Sequence, residues 1–490
     1  MQNAKHDWYK RRTYAHFDRP LSRDKAERLV TFPANVASHA FWPVILNPQE
    51  TTSKKEVSGR RVHKTKRRPI AYAAHSDSHI YSYYAHDLSN RLEELYQKEG
   101  GDHVLAYRRF DVPKCNIHFA HEAFSYISSH NPCDVIAIDV EGFFDALDHQ
   151  ELKKQWKMIL NEQSLPKDHY AVYNACTNGS AVTLPELRDL FGGEVRRRAG
   201  ASGAAICTTK AFREEVKPLL RHRHDIVWDI KRKSKPAQIS GIPQGLPISA
   251  VLANLYMYSA DKRLNKLITE LGGIYWRYSD DILLVVPAGK GQEAENNVIT
   301  ELNAVKLTIN SDKTVRRRVR PRNGTIRSYS LNDRYLEGEA APVTYLGFNF
   351  DGEETRVRDS TISRFMVKAH RAIERAKIAA SSRKSPHLKK RQLYAKLTSM
   401  GYGSAYGNHV YTREAGFLPK GAPRLGFFSY LKLAQNVVGG EALNRQHRQI
   451  ESKIHRAIHN AEEKLGKRIK WLILPLHESE TDRHLIGLSG

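Results

Sequence analysis

Tyr278-Ser279-Asp280-Asp281 lies between Ile274-Tyr275-Trp276-Arg277 and Ile282-Leu283-Leu284-Val285-Val286. Both flanks are rich in β-branched or aromatic residues, so the segment reads as a hairpin whose turn presents two adjacent carboxylates. Two acids at the tip of a buried hairpin are costly to hold unless a cation neutralises them. Hard oxygen donors with open positions suit Mg²⁺, which takes a few carboxylates plus substrate phosphates. An ordinary solvated turn is the alternative, since Ser and Asp are common turn residues. A second carboxylate bears on that choice. Asp134-Val135-Ile136-Ala137-Ile138-Asp139 is a short apolar run that ends in acid. A strand ending in Asp139 beside a hairpin ending in Asp280-Asp281 could clamp two metal ions for phosphoryl transfer. Asp139 as the N-cap of a helix around Leu147 to Met158 is the other reading.

The third piece lies between these two. Gly241-Ile242-Pro243-Gln244-Gly245-Leu246-Pro247-Ile248-Ser249 is a tight loop that opens a helix. Val251, Leu252, Leu255, Tyr256 and Ala260 recur at helical spacing, and Ser249 is placed to cap it. Such a loop lets a nucleotide or template backbone approach closely, or simply starts a helix.

In order, these segments resemble the palm motifs of reverse transcriptases. Asp139 with Phe143-Phe144-Asp145 resembles the first motif, and Pro243-Gln244-Gly245 with Ser249 and Asn254 the second. Tyr278-Ser279-Asp280-Asp281 resembles the third, and Lys313-Thr314 the fourth. Tyr345-Leu346-Gly347-Phe348 resembles the fifth, the primer-grip hairpin. The series spans roughly residues 60 to 350.

The resemblance implies an α+β fold: a right-hand polymerase with fingers, an antiparallel-sheet palm and a helical C-terminal thumb. It implies an RNA-directed DNA polymerase that uses two Mg²⁺ ions to add dNTPs. Asp139, Val140, Asp280 and Asp281 would form the metal site, with Asp281 as an auxiliary carboxylate. Phe144 would be the steric gate that excludes a 2′-hydroxyl. Gln244 and Gly245 would contact template or incoming nucleotide, and Lys313 would protonate the leaving pyrophosphate. Arg68 in Lys66-Arg67-Arg68 and Arg108 in Ala106-Tyr107-Arg108-Arg109 would bind the triphosphate, because Arg grips phosphate bidentately. Arg316, Arg317, Arg318, Tyr345 and Gly347 would contact nucleic acid.

Glu141-Gly142 after the catalytic Asp is similar to bacterial rather than retroviral enzymes. Neither a retron-type Val-Thr-Gly nor a paired-cysteine zinc endonuclease is found. What remains resembles the defence-associated, or unknown-group, bacterial reverse transcriptases of anti-phage systems. Ala74-His75-Ser76-Asp77-Ser78, Ile80-Tyr81-Ser82-Tyr83-Tyr84 and Cys115-Asn116-Ile117-His118-Phe119-Ala120 support that branch. It implies a cognate structured noncoding RNA as partner and template, and a DNA product. The alternatives are a group II intron-like maturase, template-independent or protein-primed synthesis, and a non-catalytic RNA-binding scaffold.

The chain carries 78 Lys plus Arg against 53 Asp plus Glu, a formal charge of +25. Such a field recruits polyanions, with nucleic acid favoured over anionic membrane. No apolar run reaches transmembrane length, and Met1 to Arg12 is polar and basic. Cytoplasmic residence without membrane contact is the simplest expectation. Cys115, Cys133, Cys176 and Cys207 are too widely spaced for a paired metal motif, which fits reduced thiols. His75, His79 and His86 could share a helical face, with structural hydrogen bonding as the first explanation.

Residues 1–55 read as an N-terminal extension whose Lys10-Arg11-Arg12-Thr13-Tyr14 suits either RNA or packing on the fingers. Residues 56–130 read as mostly helical fingers, and 131–354 as palm. The palm is interrupted by an insertion at about 160–236, because the Asp139–Asp280 gap exceeds what a compact palm needs. Arg196 to Ala204 inside it reads as a flexible basic loop. Residues 355–490 read as a helical thumb. It carries helical spacing from Met366 to Ile378, a Gly- and Tyr-rich loop from Gly401 to Gly407, and a long helix over Asn444 to Leu465. Nucleic-acid gripping or homo-oligomerisation would suit those helices.

Overall fold

The computed structural model describes residues 8–57, 60–192, 195, 205–232, 238–382, 387–398, 409–412, 416–419 and 426–473. The expected Arg196–Ala204 and Gly401–Gly407 loops lie outside these. The chain forms two compact units, Met1–Arg109 with Asp134–Arg316, and Phe110–Cys133 with Arg317–Gly490.

The first unit contains two sheets. In one, β1 (Val44–Val57) and β2 (Arg60–Tyr72) form a long antiparallel hairpin, in register from Ile45 opposite Tyr72 to Val57 opposite Arg60. Within the range expected to be mostly helical, residues 60–72 are strand while 75–99 and 116–129 are helix, and the boundary set at residue 55 falls inside β1. The two strands are too polar to show a strand pattern. A continuous ladder pairs them, and Val44, Ile45, Leu46 and Ala71 at its base are buried. The expected insertion is part of this sheet. Its β4 (Ser180–Thr183) pairs parallel with β1, and β5 (Arg221–His222) pairs with β4. One apolar cluster joins Phe17, Ile45, Val182, Leu187, Ile206 and Val216, so N-terminal arm, hairpin and insertion share a core.

The arm also completes a helix. His75–Glu99 begins without a side-chain cap of its own. The Asp18 carboxylate accepts from the His75 and Ser76 backbone N–H groups at 2.8 Å each. That places a negative charge at the positive end of the helix dipole. Arg12 Nε donates to Ser78 Oγ at 3.0 Å, and Tyr14 OH to the Ala73 carbonyl at 2.8 Å. The arm is thus engaged in packing.

In the other sheet β3 (Cys133–Asp139) neighbours β7 (Asp281–Pro287), which pairs antiparallel with β6 (Ile274–Tyr278). Asp134 to Ile138 and Ile282 to Val286 are almost wholly buried. The helix Ser249–Glu270 is amphipathic at its ends and buried through its middle, from Leu252 to Met257.

In the second unit β8 (Val315–Arg322, entered from the first unit), β9 (Thr325–Leu331) and β10 (Glu337–Ala340) form one antiparallel set. β11 (Val343–Tyr345), β12 (Phe348–Phe350) and β13 (Thr355–Val357) form another. Long helices at Asp359–Ser381 and Glu441–Ile473 contain both expected helical stretches. The helix Asn116–Ser129, expected among the fingers, belongs to this unit, where Phe124 stacks on Phe350 at 5.1 Å. Among the described residues no helix is long and apolar enough to cross a membrane.

Candidate active site

Asp139 is the last residue of β3, and Asp280 sits in the two-residue turn between β6 and β7. One backbone hydrogen bond links the two segments and another ties Asp139 to the residues before Lys313. Val140 N–H donates to the Asp280 carbonyl at 3.1 Å, and Asn310 N–H to the Asp139 carbonyl at 2.8 Å. Asp139 is therefore a strand-end residue. The N-cap of the following helix, His149–Leu160, is Asp148 instead. Ser279 takes φ +62°, which lets the hairpin turn tightly and matches strand twist. Its hydroxyl lies 3.3 Å from Tyr107 OH. Beneath the turn, the fully buried Arg277 donates from Nη1 to the Ser279 carbonyl at 3.0 Å.

The site draws cations. Lys313, at the end of the short helix Ser311–Lys313, pairs its ammonium with Asp139 Oδ2. Lys66 on β2 also senses the acids. Its pKa is lowered from the ordinary value, first by burial and then by Arg68 and Lys313, while Asp139 and Asp280 oppose the shift. Lys66 and Arg68 occupy alternate positions of β2 and so share a face. Arg67, between them, pairs with Glu50 at 2.6 Å.

The donor set suits a hard divalent cation. One carboxylate ends β3, the other sits in the β6–β7 turn bonded beside it through backbone, and the Lys313 ammonium already stands against the first. Among the described hydrogen bonds none goes to the Val140 carbonyl, which leaves a third oxygen beside them. The described acids do not close into a cluster of three. Asp281 opens β7 and is exposed.

The nucleotide-side elements are fixed mainly through backbone. Phe143 is buried at 3% exposure, whereas Phe144 is half-buried and can present its ring. The loop before the Ser249 helix docks on β2, since Ala71 N–H donates to the Gln244 carbonyl at 2.7 Å. Gly245 adopts φ +108°, and a Cβ there would meet the Ala71 carbonyl oxygen at 2.8 Å. Ser249 does not cap its helix as expected. It is the first helical residue, and its hydroxyl donates to the Pro243 carbonyl at 2.6 Å, which closes the loop on itself.

Several expected contacts are corrected. Arg108 grips Glu93 with two bonds of 2.7 and 2.9 Å and lies over the Tyr96 ring at 4.1 Å. Its side chain is 4% exposed, which turns it away from a triphosphate role. Arg316 makes two 2.6 Å bonds to Glu295 and is largely buried. Arg317 lies on the opposite face of β8 from Arg316 and Arg318, because strand side chains alternate. It donates to the Pro342 carbonyl at 2.9 Å. Three consecutive arginines on a strand cannot make one basic strip. Tyr345 is 3% exposed, so its ring is core. Leu346 and Gly347, with φ +44° and +93°, form the two-residue turn that the primer-grip resemblance expects. Lys66 is the residue that sequence reasoning passed over. The strand period linking it to Arg68 was the available signal.

Residues 204–350 match the family model for reverse transcriptase (RNA-dependent DNA polymerase). No curated protein matches. Among solved structures, apo telomerase from Candida Tropicalis is 11% identical, covers 91% of this chain and 67% of its own, and has a TM-score of 0.37. Its form truncated from the C-terminal domain is 12% identical over 68% of this chain and 60% of its own, with a TM-score of 0.36. Telomerase from Candida albicans, in complex with a TWJ fragment of telomeric RNA, is 10% identical over 92% and 69%, with a TM-score of 0.34. The family match contains the Gln244 loop, the Asp280 turn and Lys313, and β3 brings Asp139 to them from outside it. The chain is an α+β protein that carries a reverse transcriptase domain, the domain of RNA-directed DNA polymerases.

Proposed function

We propose that the whole protein is a reverse transcriptase that copies a structured noncoding RNA into DNA with two Mg²⁺ ions, in bacterial anti-phage defence. The observation that carries the catalytic part is the pairing of Asp139 with Asp280 through the 3.1 Å bond between Val140 N–H and the Asp280 carbonyl. Asp139 and Asp280, with the Val140 carbonyl, would hold the metal ions. Bound there, Mg²⁺ lowers the pKa of the attacking hydroxyl and offsets charge on the triphosphate. The protein's own groups do the rest. Lys66 and Arg68 meet the phosphates from β2. Phe144 closes the space that a 2′-hydroxyl would need. Lys313, once it exchanges Asp139 for the leaving pyrophosphate, donates a proton to it. The defence role rests on the resemblance of residues 74–84 and 115–120, and cytoplasmic residence goes with it.

Asp280→Asn keeps shape and removes one negative charge. Incorporation of dNTPs on an RNA template should fall by at least about a thousandfold with an unchanged melting temperature. A folded variant that synthesises DNA at the wild-type rate would overturn the assignment. Sequencing the nucleic acid that copurifies with the protein tests the structured-RNA part.

A further inference from the structure

The helix Arg223–Lys231 ends the expected insertion, and its last residue reaches the gate. Lys231 pairs its ammonium with Asp145 Oδ2. The side chains are 13% and 34% exposed, so the pair is partly shielded from water. Asp145 directly follows Phe144 in the single helical turn Phe143–Ala146. A four-residue turn cannot hold a ring in place by its own hydrogen bonds.

The segment after the insertion supplies the missing constraint. Ile242 N–H donates to the Phe144 carbonyl at 2.8 Å, and Gly241 N–H to the Leu147 carbonyl at 2.8 Å. Ser240 Oγ donates to the Asp145 carbonyl at 2.9 Å. Gly241 takes φ +88°, and a Cβ there would stand 2.6 Å from the Asp145 carbonyl oxygen. Its own carbonyl accepts from Arg223 Nη2 at 3.0 Å and faces His149 Nε2 at 2.9 Å. Arg223 is buried at 3% exposure, and its other bonds run to His224 and to the carbonyls of Cys176 and Thr177. Those carbonyls lie at the negative end of the helix Lys167–Asn178, which compensates the buried charge. Both ends of this helix Arg223–Lys231 thus bear on the turn that carries Phe144.

We propose that Lys231 is a positioning residue for sugar selection: through Asp145 it fixes the turn bearing Phe144, so the insertion sets how strictly deoxynucleotides are preferred. The inference rests on the polymerase reading above. A steric gate discriminates only while its ring stays put, and small displacements of positioned groups have large kinetic consequences. Loss of the ion pair releases the Asp145 side chain and loosens the turn, while the bonds from Ser240, Gly241 and Ile242 keep it folded.

The test is kinetic. Lys231→Met keeps the aliphatic stem and removes the charge. The ratio of kcat/KM for dNTP over rNTP should fall about tenfold, mainly because rNTP use rises. Lys231→Arg should restore it. In a Phe144→Ala background, where the gate is absent, Lys231→Met should change the ratio no further. Ser240→Ala, which removes a neutral bond to the same turn, should give a smaller loss of selectivity and carries the test if Lys231→Met fails to fold. Equal loss on both nucleotides, or a full additional effect in the Phe144→Ala background, overturns the inference. No synthesis by the wild-type protein overturns the polymerase reading itself, and this one with it.

Discussion

A buried ion pair sets the Ser279–Asp280 turn in place. Arg277 donates to both oxygens of Asp261, at 2.7 and 2.6 Å, and both side chains are fully buried. Tyr275 OH donates to Asp261 Oδ1 at 2.7 Å, so the carboxylate is satisfied from two strand positions. Removing one partner strands a charge in the core, which costs about 3–5 kcal/mol. Asp261→Asn should therefore lower unfolding stability by about that amount, read by denaturant melting. Replacing both partners, as Arg277→Met with Asp261→Leu, should recover much of the stability. It should not recover synthesis, because the Ser279 carbonyl has lost its donor. Equal recovery of both would show that Arg277 supports the core and not the turn. The same scale shows what single residues revealed beforehand. The positions of Asp139 and Asp280 were legible because an acid at the end of an apolar strand, or in the turn of an apolar hairpin, is a local signal. Arg108 and Arg316 were not, since a sequence shows the guanidinium but hides its carboxylate, 15 residues away in Glu93 and 21 away in Glu295.

Elements were legible where pattern and burial agree. The β6–β7 hairpin and the Ser249–Glu270 helix are apolar at the period their geometry demands. The β1–β2 hairpin was divided between an N-terminal extension and helical fingers, because its charged residues carry no strand period and their pairing is visible only in the ladder. The insertion was legible only as excess length, and nothing local announces that β4 joins β1. Its integration has a measurable consequence through buried histidines. His224, next to Arg223, has its pKa pulled down to about 3, by burial first and the guanidinium second. His79, on the helix His75–Glu99, is pulled down to about 4 by burial, then by Arg12 and His75. Unfolded histidines titrate near about 6.5. As pH falls below that value the unfolded chain takes up protons that the folded chain refuses, so stability drops until the folded values are reached. Melting temperature should decline steadily from about pH 6.5 towards 4, and His224→Gln or His79→Gln should flatten part of that decline. A flat profile across the window would mean that both rings reach solvent.

At the scale of the whole molecule, the charge of +25 has to be divided between cations already neutralised and cations available to a polyanion. Arg108, Arg316 and Arg320 belong to the first kind, each in an ion pair with a glutamate. Lys66 and Arg68 belong to the second, being exposed on one face of β2 beside Asp139 and Asp280. Composition gave the total, and only partner geometry gives the division. Binding of a labelled copurifying RNA should weaken steeply as salt rises, because each phosphate contact releases a counterion. Lys66→Gln with Arg68→Gln should make the slope of log affinity against log salt shallower by up to about 0.7–0.9 per lost contact. Arg316→Gln should leave the slope unchanged and lower the melting temperature, since it leaves Glu295 unpaired in a largely buried position. Titrations at several ionic strengths, with a melting curve for each variant, separate the two classes. A shallower slope in Arg316→Gln together with an unchanged slope in the Lys66 and Arg68 variant would reverse the division and return the RNA contact to β8.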